Sequence, residues 1–325
     1  MVSCAVFDSV TRAKQNTVKS KALVSIGMPV YNGAPYLREA LDSLLAQDYG
    51  NFELIIADNA STDATARICQ EFALKDRRVS YCRNDAKIEV FANFALVLQR
   101  ARGEYFMWAA ADDTWLPTFV SALVAELDSD PEAAVAMCAT KRIREDGTLI
   151  DYVRLTDVFP SGGKRHFALA MALASGKPYH LCFYGLFRTE FIKCAFAKIP
   201  MVVLGDRLFI CELALATGFR YVDEVLYVRM AHDQPIPDRY VGEELGRIWT
   251  ERLRYVKLVA TVVPYLASSP MIPWRRKLFI PAVALRFAWM QRKRVRREIW
   301  GGLRALVTQF RRRNMGRLPD GDARS

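Results

Sequence analysis

Four short apolar runs, each ending in polar residues and each followed by a helical pattern, constrain this chain more than anything else in it. They are Leu23–Val30, Phe52–Ala57, Val79–Cys82 and Phe106–Ala111. Runs of this length suit strands buried on both faces of a parallel sheet. The helices between them are equally legible. Pro35 opens one with Leu37, Leu41, Leu44 and Leu45 at helical spacing; Ser61 or Thr62 can cap a second reaching about Leu74; a third covers about residues 90–102. Strand and helix repeated with short links predict an α/β fold whose sheet is mostly parallel, flanked by helices.

Ligands of such sheets bind at the carboxyl ends of the strands. Three strand ends here finish in polar clusters: Tyr31-Asn32, Asp58-Asn59 and Asp112-Asp113. One cluster would be ordinary turn chemistry, and the acid pair could simply cap the helix that Leu116-Pro117 opens. Three clusters at one sheet edge favour a site. Neither a Gly-x-Gly-x-x-Gly turn nor a Walker lysine loop follows the first strand, so a diphosphate would need a metal held by acids.

Pro29-Val30-Tyr31-Asn32, the Asp58–Asp63 segment, Gly103-Glu104-Tyr105 and the Asp112-Asp113 pair, in that order, resemble an inverting family 2 glycosyltransferase of GT-A fold. The resemblance spans roughly residues 21–235. It implies a nucleotide-sugar donor held by Pro29, Tyr31, Asn32, Asp58, Asn59 and Asp112, with Tyr31, Asp58 and Asn59 lining the base pocket. It further implies a Mn2+ or Mg2+ ion on Asp113, approached by His232 of the Arg229-Met230-Ala231-His232 segment. Asp206, placed by the sequence at the N-cap of a helix running to Thr217, matches the family's catalytic base. Two departures stand out: Ala110 where many relatives have the first acid of Asp-x-Asp-Asp, and Asn59 and Glu89 where they often have Asp and Gly.

Further on, Ala133–Thr140 reads as a strand, 141–178 as polar and irregular with a Ser161–Lys164 loop, and Tyr179–Phe187 as core or acceptor wall. Thr189 can cap a helix, and Phe219–Val228 reads as one or two edge strands. Residues 1–20 look like a flexible leader, 21–240 the catalytic domain, and 241–325 a basic amphipathic helical appendage. The net charge of +11 is concentrated there: Trp274–Arg313 carries thirteen Lys and Arg against Glu298 alone, leaving −1 for the rest. Trp274, Trp289 and Trp300 beside so much Arg suit a helix lying in an anionic membrane interface, ahead of the alternatives of an RNA-binding tail and a helix packed on its own domain. Leu258–Trp274 is free of charge but broken by three prolines, which argues against a span.

Seven scattered Cys without a Cys-x-x-Cys pair point to reduced thiols and a cytoplasmic setting. The expected function is transfer of a sugar to a lipid-linked saccharide for surface polysaccharide, peripheral on the inner membrane face. A sugar-phosphate nucleotidyltransferase would instead want a Gly-rich basic first loop. A non-catalytic membrane- or RNA-binding scaffold would lack donor hydrolysis.

Overall fold

The computed structural model describes residues 21–156, 166–175, 182–232, 247–248 and 251–315. The leader and the Ser161–Lys164 loop lie outside the described residues. Strands β1 (Val24–Val30), β2 (Phe52–Asp58), β3 (Val79–Arg83) and β4 (Tyr105–Trp108) alternate with helices α1 (Leu37–Leu45), α2 (Thr65–Lys75) and α3 (Val90–Arg100). A second set follows: β5 (Thr114–Trp115), α4 (Phe119–Ser129), β6 (Ala133–Arg144), β7 (Leu149–Val153), α5 (His166–Ala174), β8 (Leu186–Arg188), α6 (Thr189–Phe196), α7 (Gly205–Ala216) and β9 (Gly218–Ala231). The chain then forms α8 (Arg254–Ser268), a single turn α9 (Trp274–Lys277) and α10 (Ile280–Met315).

One sheet runs β3-β2-β1-β4-β8-β6-β9-β5, with β7 paired to β6. β1 lies parallel to β2 and β4, β2 to β3, and β6 to β9 over its length; β8, β7 and β5 join antiparallel. Strand periodicity sends alternate side chains to opposite layers. Ile26, Leu54, Ile56, Tyr105 and Met107 meet α1, α2 and α4 on one face, while Ile55, Ala57, Phe106 and Trp108 meet α3, α6 and α7 on the other.

Several expectations need correction. The fourth strand stops at Trp108, because Ala109–Asp113 leave the sheet in a turn before β5. Neither Ser61 nor Thr62 caps α2: Ala64 holds the N-cap place, and Asp63 just before it accepts the Thr65 N–H on Oδ1 at 2.9 Å. The described residues within 141–178 are far from irregular: they hold the end of β6, the β7 hairpin and α5. β7 gave no apolar alternation to read, because Leu149, Ile150 and Tyr152 are all exposed and only Val153 is buried. Phe219–Val228 is no edge: β9 is fourteen residues long and sits between β6 and β5. Pro264 does not stop α8, whose apolar face is held by packing on α7 and α10.

Trp108 anchors the second layer. It is fully buried, stacked on Phe183 at 4.7 Å and edge-on to Phe106 at 4.9 Å, and its indole N–H donates to the Phe94 carbonyl. Tyr179–Phe187 therefore resolves as core where it is described. Trp108→Ala is expected to cost about 3–5 kcal/mol through lost burial and the cavity left behind, read as a lowered urea midpoint.

Candidate active site

Two clusters form where β1, β2 and β4 end. In the first, Asp58 closes β2 and is fully buried. Its Oδ1 accepts the Ser61 N–H at 2.8 Å, and its Oδ2 accepts the Tyr81 hydroxyl at 2.9 Å and Arg83 Nη1 at 3.0 Å. Buried charge survives only with such partners. Burial, then the bond to Asp58, pushes the Tyr81 phenol up to about 12.

Asn59 spends its side chain on backbone. Its Nδ2 donates to the Ile88 carbonyl at 2.8 Å, and its Oδ1 accepts the Ile88 N–H at 2.9 Å and Asn84 Nδ2 at 3.0 Å. It thus fixes the 84–88 loop beside the end of β2. Asn32 does the equivalent for the neighbouring turn: its Oδ1 accepts the Thr62 N–H and its own N–H donates to Ser61 Oγ. Between these loops stands exposed Tyr31, with the Lys87 ammonium 3.8 Å from its ring centre. Pro29 lies one step back in β1, paired with Ala57. Asn32 and Ala60 both have positive φ, 51° and 58°. For Ala60 that is a strained conformation of the sort functional loops retain.

The second cluster joins the β4–β5 turn to β9 and the β6–β7 hairpin. Asp113 is 2% exposed. Its Oδ2 accepts the Tyr227 hydroxyl and its Oδ1 the Met230 N–H at 2.9 Å. Burial first, and the Asp112 charge second, hold its carboxyl well above the usual range; Arg229 and the two donors oppose that shift only in part. Asp112 faces outward by comparison. Its Oδ2 lies 2.5 Å from His232 Nε2, and His232 Nδ1 lies 2.5 Å from Glu145 Oε1. Ionised carboxylates only accept, so either the imidazole is doubly protonated or one of the two acids carries a proton. The Tyr36 ring stands edge-on to His232 at 5.6 Å.

The structure thus brings Asp112, Asp113 and His232 together and adds Glu145, Tyr227 and Arg229, which the sequence reading left without a role at the acid pair. Their only sequence signal was position at strand ends far away in the chain. Among the described residues no three His, Cys, Asp or Glu side chains form a ready metal cage. The donor set nevertheless fits a hard divalent cation: Asp112 and His232 offer an oxygen and a nitrogen, and such ions commonly take their remaining ligands from phosphate and water. Both Asp113 oxygens, by contrast, already accept protein hydrogen bonds.

Asp206 is not the N-cap expected from sequence. Leu204, at φ 58°, holds that place, and Asp206 is the second residue of α7, in its first turn. The chain gets there through Gly205, where a Cβ would lie 2.1 Å from the Pro200 carbonyl oxygen, so only glycine fits. A carboxylate in the first turn is favoured by the helix dipole. Arg207 beside it is buried, and its Nε has no hydrogen-bond partner among the described residues. Among those residues Asp206 makes no hydrogen bond to either cluster.

The sequence model of Glycosyl transferase family 2 matches residues 25–196. Over 142 residues the chain is 32% identical to a glycosyltransferase of Rickettsia typhi, covering 43% of each. Over 129 residues it is 43% identical to a Mycobacterium tuberculosis protein, covering 39% of this chain and 36% of the other. It therefore spans under half the length of these curated relatives. Among solved structures, Staphylococcus aureus TarS (1–349) in complex with UDP-GlcNAc superposes with a TM-score of 0.61 at 18% identity, over 83% of this chain and 74% of TarS. The mannosyltransferase PcManGT of Pyrobaculum calidifontis, in complex with GDP-Man and Mn2+, gives 0.56 at 20% identity, over 82% and 70%. These likenesses show the GT-A fold.

Proposed function

This chain belongs to glycosyl transferase family 2, and from that premise we propose that it moves a sugar from a nucleotide-sugar donor to a saccharide hydroxyl with inversion. The observation that carries the reading is the Asp112–His232–Glu145 chain of contacts at the end of β4, backed by buried Asp113 and Arg229. Tyr31, Asp58 and the loops fixed by Asn32 and Asn59 would receive the nucleoside. Pro29 holds the β1 end that aims Tyr31.

Asp112 and His232 would hold Mn2+ or Mg2+, which when bound neutralises charge on the leaving diphosphate. Asp113 is the supporting acid in this reading: it locks the β4–β5 turn to β9, so that Asp112 and His232 stay within reach of each other. Glu145 orients the imidazole from its far side. Asp206 would accept the acceptor hydroxyl's proton as its oxygen bonds to the anomeric carbon and the bond to the diphosphate breaks. Inversion follows from attack on the face opposite the leaving group. The acceptor in this reading is a lipid-linked saccharide for surface polysaccharide, met at the cytoplasmic face of the membrane.

Thermal unfolding with a panel of nucleoside diphosphates, each with and without Mn2+, tests the donor half. At about a hundredfold excess over Kd a ligand of the native state stabilises by about 2.7 kcal/mol. One nucleoside diphosphate should raise the melting temperature far more with Mn2+ than without. A panel in which none does so would overturn the reading.

A further inference from the structure

The C-terminal helices are, in packing terms, half core. Tyr255, Leu258, Val262 and Leu266 of α8, with Ile280, Val283 and Phe287 of α10, belong to the same buried cluster as α7. Arg276 Nη1 donates to the Leu215 and Ala216 carbonyls, each at 3.1 Å, satisfying the C-terminus of α7. Glu298, the only acid between Trp274 and Arg313, turns inward and accepts the N–H groups of Tyr255 and Val256 at the start of α8. What remains outside is cationic and apolar. Among the described residues no helix is long and apolar enough to cross a membrane.

The outer face of α10 is ordered. Ile280, Val283, Phe287 and Gln291, spaced by three and four, are its buried line. Leu285, Trp289, Arg292, Arg296 and Trp300, spaced by four, three, four and four, fall on the opposite side of a helix with 3.6 residues per turn. Leu285 is 71% exposed, Trp289 58% and Trp300 55%. Single exposed apolar residues are ordinary, but three on one line with two arginines between them make a contiguous patch. Arg292 stacks on Trp289 at 4.0 Å, which keeps the indole upright on the surface. A groove between α8 and α10, walled by Val259, Val295, Ile299 and Trp300, extends the apolar area.

The stripe is tied to the start of α8: Arg294 lies over the Tyr255 ring at 4.9 Å, beside the Glu298 carboxylate that accepts the Tyr255 and Val256 N–H groups.

We propose that this stripe of α10 is the surface on which the protein rests against an anionic phospholipid bilayer. Indoles favour the headgroup level, guanidinium groups pair with lipid phosphate, and the missing acid leaves the charge uncompensated. This rests on the lipid-linked reading of the acceptor and adds to it which face docks. Nucleic acid would use the arginines but has no need of the exposed leucine and indoles; a second copy would bring the same positive face against itself.

Flotation of the full chain with phosphatidylcholine vesicles, with and without phosphatidylglycerol, tests it. Binding should need phosphatidylglycerol and fall only partly as salt rises. Arg292→Gln with Arg296→Gln should lower partitioning on the order of thirtyfold at low salt. Trp289→Ser with Trp300→Ser should remove the part that survives high salt. All four positions are exposed, so both double variants should keep the wild-type response to nucleoside diphosphate. Variants that float like wild type would assign docking to another face and sink this proposal while sparing the membrane reading. No flotation by wild type would end both. Log-linear salt loss of RNA binding without flotation, or dissociation of a dimer by the tryptophan pair with flotation unchanged, would give the stripe to another partner.

Discussion

Asp206→Asn is expected to cut sugar transfer on the order of 10² to 10⁴, the range for losing a general base. Because Asp206 is not the N-cap, the exchange removes only a first-turn charge, about 0.3–1 kcal/mol of helix-dipole stabilisation. Among the described residues neither strand-end cluster makes a hydrogen bond to it, so donor binding and its metal response should be unchanged. The loss should therefore fall on kcat at saturating donor and acceptor. A variant that loses stability and activity in parallel would make Asp206 part of the α7 N-terminus and nothing more.

Asp112→Asn should be nearly as damaging for a different reason. Stabilising charge on a leaving diphosphate is worth several kcal/mol, so transfer should fall on the order of 10² to 10³. The nucleoside diphosphate should still stabilise the fold through the Tyr31 and Asp58 side, but Mn2+ should no longer add to it. An amide oxygen can still accept from His232, and Asp112 is only partly buried, so the melting temperature without ligand should hardly move. Asp113→Asn is the control. Its amide can serve both Tyr227 and the Met230 N–H, and it relieves a carboxylate that burial already disfavours. The Mn2+ response should survive there. If Asp113→Asn abolishes that response while Asp112→Asn keeps it, the cation belongs on Asp113, as the sequence alone suggested.

The contrast between the two acids shows where reading the chain stops working. Adjacent carboxylates after a buried strand are visible in sequence, but which one faces solvent is not. That depends on β9 arriving more than a hundred residues later to cover Asp113 with Tyr227 and Met230. Glu145 was invisible for the same reason: nothing local to the β6–β7 turn announces that His232 will be its neighbour. Asn59 was expected at the donor site from its strand-end position. That its amide would be consumed by Ile88 depended on how the 84–88 loop folds back.

By itself the sequence determined the elements whose periodicity is local and strong. Continuous apolar burial along β1, β2 and β4, the leucines of α1, and the short links between them leave little alternative to a parallel α/β core with polar strand ends. The tertiary structure alone decided whatever depends on distant partners. α8 survives Pro264 because Leu258, Val262 and Leu266 gain more from α7 and α10 than one lost helical bond costs. The basic region divides into a core-facing line and an outer stripe because α5, α7 and α8 take one side of α10 and leave the other. Local propensity is written residue by residue; exposure is settled only when every surface has found what covers it.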